Sequence, residues 1–147
     1  MKTAIFPGSF DPFTIGHADI VRRALPLFDS IIIAVGINHQ KTPFFPLEKR
    51  LESIKRAFAD EPRVSVVAYT ELTVDFAREN NAQFIIRGIR TIADFEYERT
   101  MADANAELAE QKIETIALFT KPELAHVSSS FVRDLASHGR DISPYLP

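Results

Sequence analysis

The sequence predicts an α/β fold: a single doubly wound, mostly parallel five-stranded sheet with helices on both faces. Three observations carry this. Short apolar, β-branched runs alternate five times with stretches of helical periodicity. The second run, Ser30 to Ile37, is apolar almost throughout, as a strand covered on both faces should be. Polar residues follow each run: Ser9, Lys41, Thr73, Arg87 with Arg90, and Ser128 to Ser130. Open parallel sheets bind ligands beyond the carboxyl ends of their strands, at the point where strand order reverses, so five polar ends on one edge indicate a site.

Taken in order, Thr3 to Phe6 reads as a buried strand bounded by Pro7 and Gly8. A helix is expected from Ala18 to Phe28, with Ile20, Val21, Ala24, Leu25 and Phe28 on one face. After the second strand, Asn38 to Phe45 is a polar loop holding His39 and Lys41. Pro46 then opens a helix with an apolar stripe of Leu47, Leu51, Ile54 and Phe58. Val64 to Ala68 is the third strand, and a short helix follows at about Val74 to Asn80. Gln83 to Ile86 is the fourth strand, ending at Arg87. A long helix runs from about Ala93 to Glu110, and Thr115 to Phe119 is the fifth strand. Ser128 or Ser129 caps a last helix through about Ser137, which Gly139 ends.

The 147 residues suffice for one domain, 1–147, with a substantial core. Apolar residues at 46% and charged residues at 25% are a globular composition. A net charge of −3 supplies no overall basic field for nucleic acid, while a small phosphorylated ligand needs only a few converging cations. No run is long and apolar enough for a membrane helix, and Met1-Lys2 leads directly into a strand without a secretory signal. The absence of cysteine excludes disulfides and thiolate metal sites, and suits a cytoplasmic protein.

The chemistry concentrates in the first loop, residues 6 to 17. A strand, a glycine-containing loop and a helix start, in that order, cradle phosphate with free N–H groups and the positive end of the helix dipole. Gly8 and Gly16 let the backbone approach a phosphate closely, and His17 can donate to one of its oxygens. Spacing alone is equally served by a tight strand-to-helix connection. Arg87-Gly88-Ile89-Arg90 places two guanidinium forks around a glycine, and Ser128-Ser129-Ser130 places three hydroxyls at a helix start. Asp94 and Glu96 fit simple stabilisation of a helix first turn. His39, His126 and His138 lack a second ligand at metal spacing, so no protein metal site is expected.

The whole string Pro-Gly-Ser-Phe-Asp-Pro-x-Thr-x-Gly-His, residues 7 to 17, resembles the signature loop of the nucleotidyltransferase superfamily with the T/H-x-G-H motif. In its full form, nine fixed positions in eleven, it is similar to the phosphopantetheine adenylyltransferase family. Arg87-Gly-x-Arg90 and Val127-Ser-Ser-Ser130 resemble two further motifs of that family, Val127 standing where isoleucine is usual. The resemblance runs from Lys2 to about Leu146, and the family pattern continues for a short segment beyond it. An aromatic residue is common in the family where this chain has Leu124.

The resemblance implies a Rossmann-like nucleotidyltransferase fold and transfer of the adenylyl group of ATP to 4′-phosphopantetheine, with Mg²⁺. It implies contacts to ATP from Ser9, Phe10, His17, Gly88, Ile89, Arg90 and Glu98, and from Leu124, Ala125, His126, Val127, Ser128, Ser129 and Ser130. The acceptor would meet Ser9, Lys41, Thr73 and Arg87. His17, Arg90 and Ser129 would serve the transition state. A homohexamer and feedback inhibition by coenzyme A are also implied. Another adenylyl- or cytidylyltransferase of the superfamily, or a catalytically silent nucleotide sensor, remain as alternatives.

Overall fold

The structure, a computed structural model, describes residues 1–147. Five strands, β1 (Thr3–Gly8), β2 (Ser30–Gly36), β3 (Val64–Tyr69), β4 (Phe84–Ile89) and β5 (Glu114–Phe119), form one sheet in the order β3-β2-β1-β4-β5. Every neighbouring pair is parallel, so the sheet is wholly rather than mostly so. The helices are α1 (Ile15–Ala24), α2 (Leu47–Ala57), α3 (Thr73–Glu79), α4 (Ile92–Leu108) and α5 (Ser129–Ser137). The strand order reverses between β1 and β4, which places the carboxyl ends of these two strands at the switch point.

Side-chain alternation sorts the core into two layers. Ala4, Phe6, Ile31, Ile33, Val35 and Ile86 face one side of the sheet, where Val21 and Ala24 of α1 and Ile54 of α2 cover them. Ile5, Ala34 and Ile85 face the other, beneath Val74 and Ala77 of α3 and beside Ala109 and Ile113 in the connection that follows α4. The central strands are therefore apolar on both faces, as the composition of β2 requires.

The boundaries of β4 and α1 differ most from expectation. β4 does not end at Arg87 but continues through Gly88 and Ile89, paired in register with Ala117, Leu118 and Phe119 of β5. A charged residue interrupted the apolar pattern, yet its guanidinium has an acidic partner and the ladder carries on. α1 begins at Ile15, three residues early, because the buried Thr14 caps it. It ends at Ala24, where Pro26, lacking an N–H, tightens the chain into a 3₁₀ turn over Leu25–Leu27. Of the two caps the sequence allows for α5, Ser128 is the one used. Gly139, at φ 74°, closes that helix with bonds from Gly139 N to Ala136 O and from Arg140 N to Leu135 O. No helix is long and apolar enough to cross a membrane.

Ile33 is fully buried in β2 under α1 and α2. Ile33→Ala is expected to lower unfolding free energy by about 2–5 kcal/mol with an unchanged denaturant slope. Urea unfolding checks this; a loss below about 1 kcal/mol contradicts the double-sided burial of β2.

Candidate active site

The stretch from the last residues of β1 to α1 has little regular structure beyond Gly8, so its carbonyls need partners from elsewhere. Each of four carbonyls is met by a distant side chain. Arg87 Nη1 donates to Pro7 O at 2.6 Å, Arg50 Nη1 to Ser9 O at 2.7 Å, Arg133 Nη1 to Asp11 O at 2.9 Å, and Ser129 Oγ to Pro12 O at 2.8 Å. The loop is thus tied to β4, α2 and α5 together. Phe10 sits in the left-handed region at φ 48°, its ring buried and packed edge-on to Phe13 and His17. Two residues earlier is Gly8, where a Cβ would lie 2.9 Å from the Phe10 ring. Only glycine leaves that ring its place.

Thr14 and His17 form a reciprocal cap. Thr14 Oγ1 accepts from His17 N, and His17 Nδ1 accepts from Thr14 N at 2.9 Å. An acceptor Nδ1 puts the ring proton on Nε2, which has no partner within the chain and is left as a donor. Burial among Phe6, Phe10 and Phe13, then the charges of Arg87 and Arg90, push the imidazole pKa down from 6.5 to about 3. At neutral pH the residue is a neutral hydrogen-bond donor of defined tautomer.

Two clefts open at the switch point. The first, about 400 Å³, is lined by His17, Arg87, Gly88, Arg90, Ser128, Ser129 and Ser130, among others. The second, about 480 Å³, lies between the β1 and β3 ends and α4, against Asn38, Tyr69, Thr73, Met101 and Asn105. Pro7, Gly8, Ser9, Arg87 and Tyr97 line both. The first cleft thus joins the amino ends of α1 and α5, whose first-turn N–H groups are free of helical partners. Three guanidinium groups, of Arg87, Arg90 and Arg133, border it against the carboxylates of Asp94 and Glu98.

Most residues named from the sequence meet in these clefts. Phe10, His17, Gly88, Arg90, Glu98, Val127, Ser128, Ser129 and Ser130 line the first, Thr73 the second, and Ser9 and Arg87 both. Lys41, Ile89, Leu124, Ala125 and His126 line neither. Lys41 is exposed on a turn that its own N–H closes onto Asn38 O. Ile89 is buried in β4. Leu124 ends a 3₁₀ turn, and Ala125 reaches the site only through its carbonyl, which accepts from Arg90 Nη1 at 3.4 Å.

Several hydroxyls and charges are already engaged. Ser128 Oγ caps α5 at Phe131 N, Ser129 Oγ holds Pro12, and Ser130 Oγ accepts from Arg133 Nη2. The buried Glu98 receives a two-pronged bond from Arg87, at 2.8 Å from Nε and 2.7 Å from Nη2. Asp94 accepts from Arg90 N and lies 3.5 Å from its Nε. Sequence reasoning assigned no part to Arg133, Thr120 or Tyr97, all of which line the first cleft. Only Arg133 had a visible signal, three positions beyond Ser130 on the same helix face.

A model of the Cytidylyltransferase-like family matches residues 5–135. Curated relatives named phosphopantetheine adenylyltransferase are similar along the whole chain. Those of Phocaeicola vulgatus and Bacteroides fragilis are 58% and 56% identical over all of this chain and 96% and 97% of their own length. That of Flavobacterium johnsoniae is 49% identical over all of this chain and 95% of its own. The chain belongs to the phosphopantetheine adenylyltransferase family. The fold is shared more widely still. A bifunctional NMN adenylyltransferase/ADP ribose pyrophosphatase from Francisella tularensis superposes with a TM-score of 0.74 at 17% identity, over 99% of this chain and 44% of that one.

The neutral state of His17 carries a pH signature. Its folded pKa lies below the unfolded value, so the unfolded chain binds the extra proton first and stability falls as pH drops from 6.5 toward 3. The slope is about 1.4 kcal/mol per pH unit from this group. His17→Gln is expected to remove that share. Imidazole NMR should show a neutral ring protonated at Nε2 down to pH 5; a midpoint near 6.5 would contradict the burial argument.

Proposed function

We propose that the chain transfers the adenylyl group of ATP to 4′-phosphopantetheine, giving dephospho-coenzyme A and pyrophosphate, and that residues 1–147 act as one domain. The observation that carries this is the pair of clefts meeting at Ser9 and Arg87. One is bordered by cations and two helix starts, as a triphosphate requires, and the other is lined by Tyr69, Thr73, Met101 and Asn105, suited to an elongated polar chain. The names borne by relatives about half identical to this chain support the same acceptor.

The acceptor phosphate attacks the α-phosphorus of ATP in line. A bond forms from the acceptor oxygen to that phosphorus, the bond to the bridging oxygen breaks, and pyrophosphate leaves with the electron pair. The nucleophile is anionic near neutral pH, so no general base is needed. The protein's work is alignment and stabilisation of charge. His17 Nε2–H is the donor for an α-phosphate oxygen, and its neutrality avoids carrying a buried cation between turnovers. Arg90 and the Ser129 and Ser130 N–H groups face the β- and γ-phosphates. Arg87 and Ser9, at the boundary of the clefts, hold the attacking phosphate, with Lys41 reaching it from its exposed turn.

Glu98 acts through Arg87, whose two nitrogens occupy its carboxylate, and that ion pair is its contribution to the nucleotide side. Nowhere do three or more His, Asp or Glu side chains converge, and Asp94 and Glu98 are engaged by arginines. An Mg²⁺ ion therefore fits as a passenger on the phosphate oxygens, where it supplies charge neutralisation. A cytoplasmic location, a homohexamer and feedback binding of coenzyme A across both clefts accompany the proposal.

Pyrophosphate release should occur with ATP, Mg²⁺ and 4′-phosphopantetheine and not with nicotinamide mononucleotide, nor with glycerol 3-phosphate and CTP. Turnover only with another acceptor overturns the assignment of the second cleft, and ATP binding without turnover makes the chain a sensor. His17→Ala should lower kcat about 10²–10³-fold while changing either KM little, since its bond strengthens in the transition state. A loss confined to KM would sink that role.

A further inference from the structure

The proposed reaction leaves two polar residues beside the site without a part. Arg50 is 6% exposed and has no carboxylate partner. Its Nη1 donates to Ser9 O at 2.7 Å and its Nε to Phe45 O at 3.1 Å. Asp11 makes the complementary contact. Its two carboxylate oxygens accept from Phe44 N and Phe45 N, each at 2.8 Å. One guanidinium and one carboxylate therefore clasp the end of the 38–45 segment onto the phosphate loop, through Phe44 N, Phe45 N, Phe45 O and Ser9 O.

A buried guanidinium joining two carbonyls in place of an acid is an expensive arrangement to keep. Helix α2 begins at Leu47, directly after the clasped residues, so tertiary structure could have held this end by apolar packing alone. What the clasp adds is register between Ser9 and the segment that carries Lys41. On its opposite side the same loop is held by α5, through Asp11 O and Pro12 O. The two sides of the loop thus have separate anchors, one toward the nucleotide cleft and one toward the acceptor.

We infer that Asp11 and Arg50 are positioning residues that lock the Lys41 segment to Ser9, so that both meet the acceptor phosphate as one unit. The inference rests on the adenylyl-transfer reading for its substrate, but the clasp itself does not. Hydrogen exchange of the full chain tests it without turnover. The Phe44 and Phe45 amides, though in an irregular segment, should be protected, and Asp11→Ala should expose both while Asp11→Asn, which retains one acceptor oxygen, gives an intermediate loss.

Steady-state kinetics test the consequence. Asp11→Ala should raise KM for 4′-phosphopantetheine about tenfold and KM for ATP less than about twofold, because the α5 anchors remain. In a Lys41→Ala background the same substitution should add little, since it acts through Lys41. Freely exchanging amides in the wild-type chain overturn the clasp. Equal changes in both KM values, or penalties that multiply between Asp11 and Lys41, overturn the positioning role. Wild-type silence with phosphopantetheine while both amides are protected overturns the reaction, and with it the role assigned to the clasp.

Discussion

Everything at this site depends on the satisfaction of backbone carbonyls in a segment that cannot satisfy its own. From the carboxyl end of β1 to the cap of α1 most of the chain turns without ladder or helix bonds, and an unpaired buried carbonyl costs on the order of 1–3 kcal/mol. Pro7, Ser9, Asp11 and Pro12 avoid that cost by accepting from Arg87, Arg50, Arg133 and Ser129. The donors come from β4, α2 and α5, so the loop is fixed only once the sheet and two helices have assembled around it. A binding loop built this way is rigid in a folded protein and has no local structure to fall back on. It also explains why three of its four donors are arginines. A guanidinium can give one N–H to a carbonyl and keep others for a ligand or a second partner, which a lysine does with far less directional control.

The same crowding sets the electrostatics. His17 is held between aromatic rings and faces two arginines, each of which disfavours a proton on the imidazole. A cationic histidine would bind a triphosphate more strongly in the ground state, but that attraction is shared by substrate and transition state alike. A neutral donor whose geometry is set by its bond to Thr14 favours the arrangement in which charge has moved onto the oxygen it faces. The arginines supply net attraction, and the imidazole supplies discrimination. Their neighbourhood makes the division of labour unavoidable, since the cations that attract phosphate are the same ones that keep the ring neutral.

The layout of the fold was legible because it rests on periodicity. The β-branched runs and helical stripes predicted five strands, five helices and the edge on which polar residues gather. The boundaries that shifted did so for local reasons, Arg87 inside β4 and Pro26 at the end of α1. The site was legible where it is carried by contiguous strings, around Ser9 to His17 and Val127 to Ser130. It was not legible where residues act across long separations. Arg50 reaches Ser9 over 41 positions and Arg133 reaches Asp11 over 122, and no pattern in the chain announces an arginine that serves a carbonyl. Motif resemblance has the opposite weakness. It names Leu124, Ala125, His126 and Lys41 by position, and it does not say that their side chains stand outside the lining of the two clefts.

Arg87 shows how the two kinds of information combine. Its place in the alternation of β4 puts it on the face covered by α3 and α4, which is why Glu98 of α4 can engage it with both oxygens. Its remaining reach closes onto the carbonyl of Pro7, next to the last residue of β1 and two before the irregular path begins at Ser9. A single side chain is thus bound to the helix, to the loop and to the wall between the clefts. Burying such an ion pair contributes little net stability, because the desolvation of both charges offsets most of their attraction. Its value lies in geometry. An arginine anchored at all three of its nitrogens has little rotamer freedom left to lose when phosphate arrives, so the ordering cost falls on folding and not on binding. The same logic holds for the other arginines of the loop. Each is committed to a carbonyl before any ligand enters, and the site meets its substrates with its cations already in place.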